Sequence, residues 1–237
     1  MSSEPLLALE GVAKRFGGLT VLHDVHFAVG AGEILGLVGP NGSGKTTTIN
    51  VISGIHQADA GTMLFEGRSI ERVPTFRLAH LGINRTFQVP KPFPEMTARE
   101  NIEVAAYFGA GSRSSAEVDA VLAEIELADE AETLARELTV NQQKRLDLGR
   151  ALAVRPKLLL VDEIGAGLNP SELTVMGELL LSLAKRGVAL IVVEHLLDFL
   201  NRITNRVIVL DAGKMLFEGT LQDASHDPDV VAAFIGG

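Results

Sequence analysis

One glycine-rich segment has the residue types and spacing of a phosphate-binding loop, G-x-x-x-x-G-K-[ST]. Its sequence is Gly39-Pro40-Asn41-Gly42-Ser43-Gly44-Lys45-Thr46, and it follows the apolar run Ile34–Val38. Glycines let successive backbone N–H groups point at phosphate oxygens, and the helix that follows adds partial positive charge. Lys45 would reach the β- and γ-phosphates, and the Thr46 hydroxyl would bind Mg²⁺. A plain glycine-rich turn is the alternative, but the strand-like run before the loop favours nucleoside triphosphate binding.

Two adjacent acids end a second apolar run, Leu158-Leu159-Leu160-Val161-Asp162-Glu163. In a sheet that carries a phosphate-binding loop, such a strand end lies beside the phosphates. There Asp162 can hold Mg²⁺ through water, and Glu163 can orient or deprotonate the attacking water. The alternative is a strand that leaves the core with two solvated acids. Together with the phosphate loop, the pair favours hydrolysis over transfer to a bound acceptor.

Three residues at the ends of other predicted strands are candidates for the same site. His195 follows the apolar run Val188–Val193 and would border the γ-phosphate, although a lone histidine there is more often structural. Gln88 lies just before a predicted helical region and is a candidate contact for Mg²⁺ or the attacking water, with an exposed loop amide as the alternative. Phe16 is a candidate for stacking on a base, with simple packing as the alternative.

The elements that would position these residues indicate an α/β sheet. The first thirty residues alternate apolar and polar side chains, as antiparallel strands with one wet face do. The three apolar runs described above are typical of strands buried on both faces of a parallel sheet. Each run leads into a turn and then a helical pattern, and ligands bind such sheets at the carboxyl ends of the strands.

Capping residues and apolar spacing place the helices. A capping box at Thr97–Glu100 predicts a helix that starts at about Thr97. Asn169 and Pro170 start another, which ends with cations and a glycine at 185–187. One apolar helix face repeats at Val118, Val121, Leu122 and Ile125. The stretch from about 90 to 138 has no long buried-strand run, and we predict that it is a helical lobe.

Composition excludes several classes of protein. The chain has 237 residues, 46% of them hydrophobic, which is enough for one large domain with a sizeable core. It has no cysteine, so a disulfide framework or a thiolate metal site is excluded. The net charge of −9 argues against a general nucleic-acid binder. No apolar run approaches the roughly 18–20 residues of a membrane-spanning helix, and no targeting pattern opens the chain. We therefore expect a chain that docks on membrane proteins at most.

In order, these features resemble those of the ATP-binding subunits of ABC transporters over nearly the whole chain. Phe16 lies at the family's adenine-stacking position. The other matching motifs are the Walker A loop at Gly39–Thr46, the Q-loop at Gln88, the Walker B strand with its catalytic glutamate at Leu158–Glu163, the D-loop at Gly167–Pro170 and the switch histidine at His195.

The resemblance implies a fold, a division of the chain and two cofactors. The fold would be a P-loop NTPase sheet with an antiparallel β subdomain and an inserted helical lobe, in a single domain over 1–237. Residues 1–89 and 139–237 would form the nucleotide-binding core with the antiparallel strands, and about 90–138 the helical lobe. The cofactors would be ATP and Mg²⁺. The loop residues and Thr47 would hold ATP, and Thr46, Gln88 and Asp162 would hold the metal.

The segment Leu138–Gln142 departs from the family's signature, usually Leu-Ser-Gly-Gly-Gln. Thr139 keeps a hydroxyl and Gln142 is retained, but both glycines are gone. In the family's head-to-tail dimer the signature completes the ATP site of the opposite subunit, which implies that Thr139, Asn141 and Gln142 contact nucleotide there. We expect Asn141 to mimic a glycine in the left-handed conformation, which β-branched Val140 tolerates poorly. The segment would then complete the partner's site imperfectly. Ile164, where the family commonly has proline, is a minor departure.

Several short segments resemble the branched-chain amino-acid importer group: Arg85–Gln88, Phe93–Thr97, Glu100-Asn101, Ala166–Pro170 and the ending Asp229–Gly237. The resemblance implies an ATP-hydrolysing motor of an importer for branched-chain or related amino acids, cytoplasmic and peripheral on the inner face of the cell membrane. Its partners would be membrane-spanning permease subunits and a second ABC ATPase subunit, either a sister chain or a second copy. A solute-binding protein would act only indirectly, and nucleic acid would not be a partner.

Other functions stay open at this point. A soluble, non-transport ABC ATPase acting on ribosomes or DNA often carries two motor domains, coiled coils or basic extensions, and this sequence has none of them. A P-loop kinase would need an acceptor site in place of the arrangement of Glu163 and His195. A small GTPase would need a guanine-reading Asn-Lys-x-Asp segment, which the sequence lacks.

Overall fold

The computed structural model describes residues 4–235. Residues 1–3 of the predicted domain lie outside this range, as do Gly236 and Gly237 of the ending that resembles the importer group. The described strands are β1 Leu7–Phe16, β2 Leu19–Val29, β3 Ile34–Val38, β4 Ala60–Phe65, β5 Arg68–Ser69, β6 Ile83–Arg85, β7 Leu158–Asp162, β8 Ala189–Val193, β9 Arg206–Asp211 and β10 Lys214–Gly219.

The described helices lie between and after these strands. They are α1 Lys45–Ile52, α2 Thr75–Leu81, α3 Ala98–Ala105, α4 Ser115–Glu124, α5 Val140–Ala153, α6 Pro170–Lys185, α7 Leu197–Ile203, α8 Leu221–Ala224 and α9 Pro228–Ile235, with a π-helical turn at Ala106–Ala110 and a 3-10 turn at Ala135–Glu137.

The strands form two sheets, and the α/β prediction is confirmed. One sheet is antiparallel in the order β2-β1-β4-β5, and it contains the alternating segments near the start of the chain. The other has the order β10-β9-β3-β8-β7-β6, in which β10 alone is antiparallel to its neighbour. All residues of β3, β7 and β8 are buried, as the continuous apolar runs predict.

The strand order brings the candidate residues to one edge. Strands β3, β8 and β7 are neighbours, so their carboxyl ends lie side by side. The phosphate loop follows β3, the two acids end β7, and His195 follows β8. Strand β6 pairs with β7 in parallel, which brings Gln88 to the same edge.

The predicted helix caps are present where the sequence places them. Thr97 caps α3 and Asn169 caps α6, each with a complete capping box. These side chains satisfy N–H groups that the first turn of a helix leaves without partners. The apolar face predicted around Val118 lies on α4, where Val118 and Leu122 are buried.

Helices cover the predicted lobe, and α5 continues the same layer. Helix α5 packs against α3 and α4, with Gly149 at the contact. A Cβ atom at Gly149 would lie 2.5 Å from Ile125 Cδ1, so a larger residue there would require that side chain to shift. The lobe boundary at residue 138 stays a prediction. Among residues 4–235, no helix has both the length and the apolar character needed to cross a lipid bilayer.

Candidate active site

Three glycines shape the loop between β3 and α1. Gly39, Gly42 and Gly44 have φ values of 148°, 80° and 105°, in the region that side chains disfavour. A Cβ atom on Gly39 would lie 2.1 Å from the carbonyl oxygen of Leu210, so the close approach to β9 requires glycine there. Gly44 precedes α1, and the loop therefore leads directly into a helix N-terminus.

Lys45 lies across the loop. Its side chain is buried, and Nζ donates hydrogen bonds to the carbonyl oxygens of Gly39, at 2.8 Å, and Pro40, at 2.9 Å. Burial lowers the pKa of Lys45, and the negative charges of Glu163 and Asp162 oppose that effect. The ammonium is thus already close to both acids at the end of β7.

The loop has a donor set that fits a phosphate chain. Ser43 Oγ is buried and has no hydrogen-bond partner among residues 4–235. A buried hydroxyl without a partner carries a desolvation cost that an oxygen-rich ligand would relieve. Thr46, on the first turn of α1, is exposed to solvent, and Thr47 beside it is half-buried. In the sequence, these two hydroxyl residues lie on either side of Lys45.

Asp162 is buried at the end of β7. Arg85 Nη2 lies 3.4 Å from Asp162 Oδ2, and the backbone N–H of Asp162 donates to Thr86 Oγ1 at 3.4 Å. Burial raises the pKa of Asp162, while the Arg85 guanidinium lowers it. A second cation near this carboxylate would stabilise its ionised form.

The structure brings Gln88, Glu163 and His195 into direct contact. Gln88 Nε2 donates to Glu163 Oε2 at 2.6 Å, and His195 Nε2 lies 3.1 Å from Glu163 Oε1. Each carboxylate oxygen of Glu163 therefore has its own side-chain partner. Glu163 itself has φ 49°, a left-handed conformation that turns its side chain out of the strand direction.

Phe16 lies at the end of β1 and is 42% exposed. Its ring packs edge-on against His56, with centroids 5.0 Å apart, and Lys14 Nζ lies 5.2 Å from its centroid. Lys14 in turn forms an ion pair with Asp59 at 3.1 Å. The ring is held by neighbours yet accessible, so it can accept a flat partner.

The structure corrects the expected backbone at the altered signature. Val140 and Asn141 form the first turn of α5, and neither has a positive φ. The expectation that Asn141 takes the left-handed conformation, and that Val140 is strained by it, is therefore wrong. A helical first turn needs no glycine, because the α region is open to every L-residue except where proline interferes.

The side chains of the altered signature have partners within the chain. Thr139 and Gln142 form a capping box at the start of α5. Asn141 Nδ2 donates to Glu172 Oε1 at 2.7 Å, and Gln142 Nε2 donates to Glu130 Oε1 at 2.9 Å. These three residues are thus tied to α6 and to the helical layer, and among residues 4–235 none of their hydrogen bonds reaches the phosphate loop.

Sequence reasoning did not assign a role to three charged residues beside the site: Arg85, Lys144 and Glu194. Arg85 donates to Asn50 Oδ1 at 2.6 Å besides facing Asp162. Lys144 and Glu194 are buried and contact the turn after β7. For Glu194 the available signal was its place directly after an apolar run, which predicts a partnered buried group, whereas Arg85 and Lys144 lie in polar stretches that give no such signal.

Comparisons with known proteins match the whole chain. The family profile described as "ABC transporter" matches residues 22–166. A high-affinity branched-chain amino acid transport ATP-binding protein of Pseudomonas aeruginosa is 33% identical, over 99% of each chain. A probable branched-chain amino acid transport ATP-binding protein of Archaeoglobus fulgidus is 36% identical, over 98% of this chain and 95% of the relative.

Solved structures match the fold. The crystal structure of a nucleotide-free ATP-binding cassette from an ABC transporter superposes with a TM-score of 0.91 at 31% identity, over 99% of this chain and 100% of the other. A dimeric ATP-binding cassette in a post-hydrolysis state, bound to ADP and Pi, has a TM-score of 0.82 at 26% identity, over 91% of this chain and 98% of the other.

Proposed function

Because the chain belongs to the ABC transporter family, we propose that it is the ATP-hydrolysing motor subunit of an importer for branched-chain or related amino acids. The arrangement that carries the proposal is the contact of Glu163 with Gln88 and His195 beside the Lys45 loop. The relatives that match at full length are transport subunits, and nothing favours the alternative of a soluble ATPase acting on ribosomes or DNA.

Different residues of the chain have separate roles in hydrolysis. The loop N–H groups and Lys45 hold the phosphates and offset the negative charge that grows on them in the transition state. Glu163 orients the attacking water and accepts its proton, and His195 holds the carboxylate in place. Gln88 now donates to that carboxylate, so the amide and the water compete for the same oxygen. Departure of Gln88 from Glu163 would therefore free the carboxylate for the water.

Mg²⁺ fits the oxygen donors present at this edge. The exposed hydroxyl of Thr46, the amide oxygen of Gln88 and the carboxylate of Asp162 are the kinds of ligand that this ion takes, with water completing its shell. When bound, the ion neutralises charge on the β- and γ-phosphates. The contact between Arg85 and Asp162 supports an ionised carboxylate ready for this role.

A docking surface for permease subunits is proposed just after Gln88. Val89 is 69% exposed and Phe93 is 42% exposed, while Met96 is half-buried. Prolines interrupt this segment, so it cannot form a helix that would bury these side chains. Asn101 holds this segment in place, since its side chain accepts a hydrogen bond from the N–H of Phe93 and donates one to the carbonyl of Phe93. The result is a firmly held apolar surface, on which the Arg150 guanidinium carbon lies 4.9 Å from the centroid of the Phe93 ring.

A second ATPase subunit is proposed as the other partner. The dimeric cassette bound to ADP and Pi, with which this chain shares its fold, supports a pair of motor domains. Thr139, Asn141 and Gln142 would face the opposite subunit's ATP. Their side chains already have partners within this chain, which favours two unequal sites built with a sister chain. Docked on permease subunits, the pair would lie on the cytoplasmic face of the membrane.

Co-purification tests the transport function. The tagged full chain, expressed in its native cell, should retain membrane-spanning subunits and a second ATPase in detergent, and the complex should hydrolyse ATP. A branched-chain amino acid, delivered with its binding protein, should accelerate that hydrolysis. Recovery of ribosomes or DNA instead, with no membrane subunit, would overturn the proposal.

A further inference from the structure

A buried lysine contacts the turn that carries Glu163. Lys144 lies on α5 and is 6% exposed. Its Nζ donates to the carbonyl oxygens of Glu163 at 3.3 Å, Ile164 at 3.0 Å and Ala166 at 2.5 Å. An ammonium has three N–H donors and no acceptor, so three carbonyls use its full capacity. The match between three donors and three acceptors, together with the burial of the lysine, indicates a specific contact for a protonated side chain.

The turn at 163–166 needs a hydrogen-bond donor because the chain leaves the sheet abruptly there. Strand β7 ends at Asp162, and Glu163 adopts φ 49°, a conformation that costs energy for a residue with a side chain. Its carbonyl oxygen and that of Ile164 have left the strand ladder and point towards α5. The Glu163 carbonyl also accepts from Ala166 N at 3.3 Å, the same distance as from Lys144, but among residues 4–235 no backbone N–H donates to the carbonyls of Ile164 and Ala166. Lys144 thus supplies a donor where the backbone supplies little.

A buried acid holds the same turn from the opposite side. Glu194 is 3% exposed, and its Oε1 accepts a hydrogen bond from Gly165 N at 2.7 Å. A Cβ atom on Gly165 would lie 3.1 Å from that same oxygen, which shows how closely the carboxylate approaches. Burial raises the pKa of Glu194, and the positive charge of Lys144 opposes that effect. The carbonyls of the turn therefore face the Lys144 donor, and the N–H of Gly165 faces the Glu194 acceptor.

Lys144 connects two functional segments, the start of α5 and the turn after β7. Helix α5 begins with the altered signature, and Lys144 lies one turn further along the same helix. The turn that the Lys144 side chain contacts carries Glu163, whose carboxylate lies between Gln88 and His195. Three hydrogen bonds from Lys144 therefore join α5 to the turn, one of them to the carbonyl of Glu163 itself.

We propose that Lys144 is a positioning residue that fixes the Glu163 carboxylate for hydrolysis and links α5 to it, with Glu194 as its counterpart. This inference deepens the proposed function and rests on it. In the proposed dimer, a movement of α5 in response to the partner's nucleotide would change the position of this chain's own Glu163.

The test compares three variants of the full chain, each in the assembled complex with the second ATPase and the membrane subunits. Lys144→Met removes the charge and keeps the apolar stem, Lys144→Arg keeps donors, and Lys185→Met is a charge-matched control on an exposed lysine of α6. Because a misplacement of about 1 Å can cost about a hundredfold in rate, Lys144→Met should lower kcat by about tenfold to a hundredfold. KM and ATP affinity should change by less than about threefold, since the phosphate loop is untouched.

Two further measurements separate positioning from simple loss of folding. Amide exchange of the peptide containing 163–168 should accelerate in Lys144→Met and not in Lys185→Met, and Lys144→Arg should recover part of the rate. A Lys144→Met rate within about twofold of the parent overturns the proposal. So does a loss of rate that only tracks a loss of folded protein, or an arginine variant no faster than the methionine one. If the assembled complexes that contain the parent chain or Lys185→Met hydrolyse no ATP, the proposed function fails instead.

Discussion

His195 Nε2 lies 3.1 Å from Glu163 Oε1, although the two residues follow different strands. The contact exists because β7 and β8 are parallel neighbours, so the residues just beyond them meet at one edge. Gln88 holds the other oxygen of the same carboxylate from the segment after β6. Glu163 is therefore positioned by three separate parts of the chain, and the predictions below test that arrangement.

Glu163→Gln should retain ATP affinity while turnover collapses, because the amide cannot accept the proton of the attacking water. Loss of a general base typically costs about 10²–10⁴ in rate. Steady-state hydrolysis and nucleotide binding of the assembled complex check this. Glu178→Gln, at an exposed position of α6, is the matched control. Wild-type turnover in Glu163→Gln would show that another group activates the water.

Lys45→Ala should weaken ATP binding itself. The ammonium now bonds the Gly39 and Pro40 carbonyls, and on binding it would move to the phosphates. A hydrogen bond to a charged group is worth about 1.5–3 kcal/mol, which corresponds to a roughly tenfold to hundredfold higher Kd. Titration with a fluorescent ATP analogue measures it, with Lys185→Ala as the control. An unchanged Kd would exclude Lys45 from phosphate binding.

Phe93→Asp should abolish association with the permease subunits and leave nucleotide binding intact. The ring is 42% exposed, so a carboxylate there remains solvated in the free chain but cannot enter an apolar interface. Phe234→Asp is a matched control, because Phe234 on α9 is also 42% exposed. Pull-down of the complex and ATP binding are the two measurements. Misfolding or lost ATP binding in Phe93→Asp would assign this ring to the core.

Asn101→Ala should destabilise the segment that carries Phe93. Asn101 is fully buried, and its side chain accepts from Phe93 N at 2.8 Å and donates to the carbonyls of Phe93 at 3.1 Å and Thr97 at 2.9 Å. Buried groups left without partners cost about 1–3 kcal/mol each, so unfolding should become easier by about 2 kcal/mol. Urea unfolding measures this against Glu103→Ala, an exposed neighbour on α3. Equal midpoints for the two variants would mean that water replaces the amide.

Much of the local structure was predictable because its causes are local. The capping boxes at Thr97 and Asn169 form between residues three positions apart, and both helices begin where those residues predict. The continuous apolar runs specify buried strands, and β3, β7 and β8 are buried throughout. Phosphate-loop chemistry could be predicted for the same reason, since its glycines and Lys45 lie within eight consecutive residues.

The altered signature shows where an analogy misled. The family's glycines suggested a loop with left-handed positions at Val140 and Asn141. The chain instead starts a helix there, because Thr139 and Gln142 form a capping box of their own. The box could be seen in the sequence as Thr-x-x-Gln, so the local signal was the better guide to the backbone.

By itself, the sequence determined the phosphate loop and the acidic end of β7, since each is specified by consecutive residues. It also determined the family to which the chain belongs, since short motifs specify it by their order along the chain. Only the tertiary structure decided which distant side chains meet. Gln88 and Glu163 are 75 positions apart, and Lys144 reaches Ala166 across 22. Strand order and the packing of α5 on the sheet set these distances. A buried charge is then stabilised only by the partners that the fold brings within a few ångströms of it.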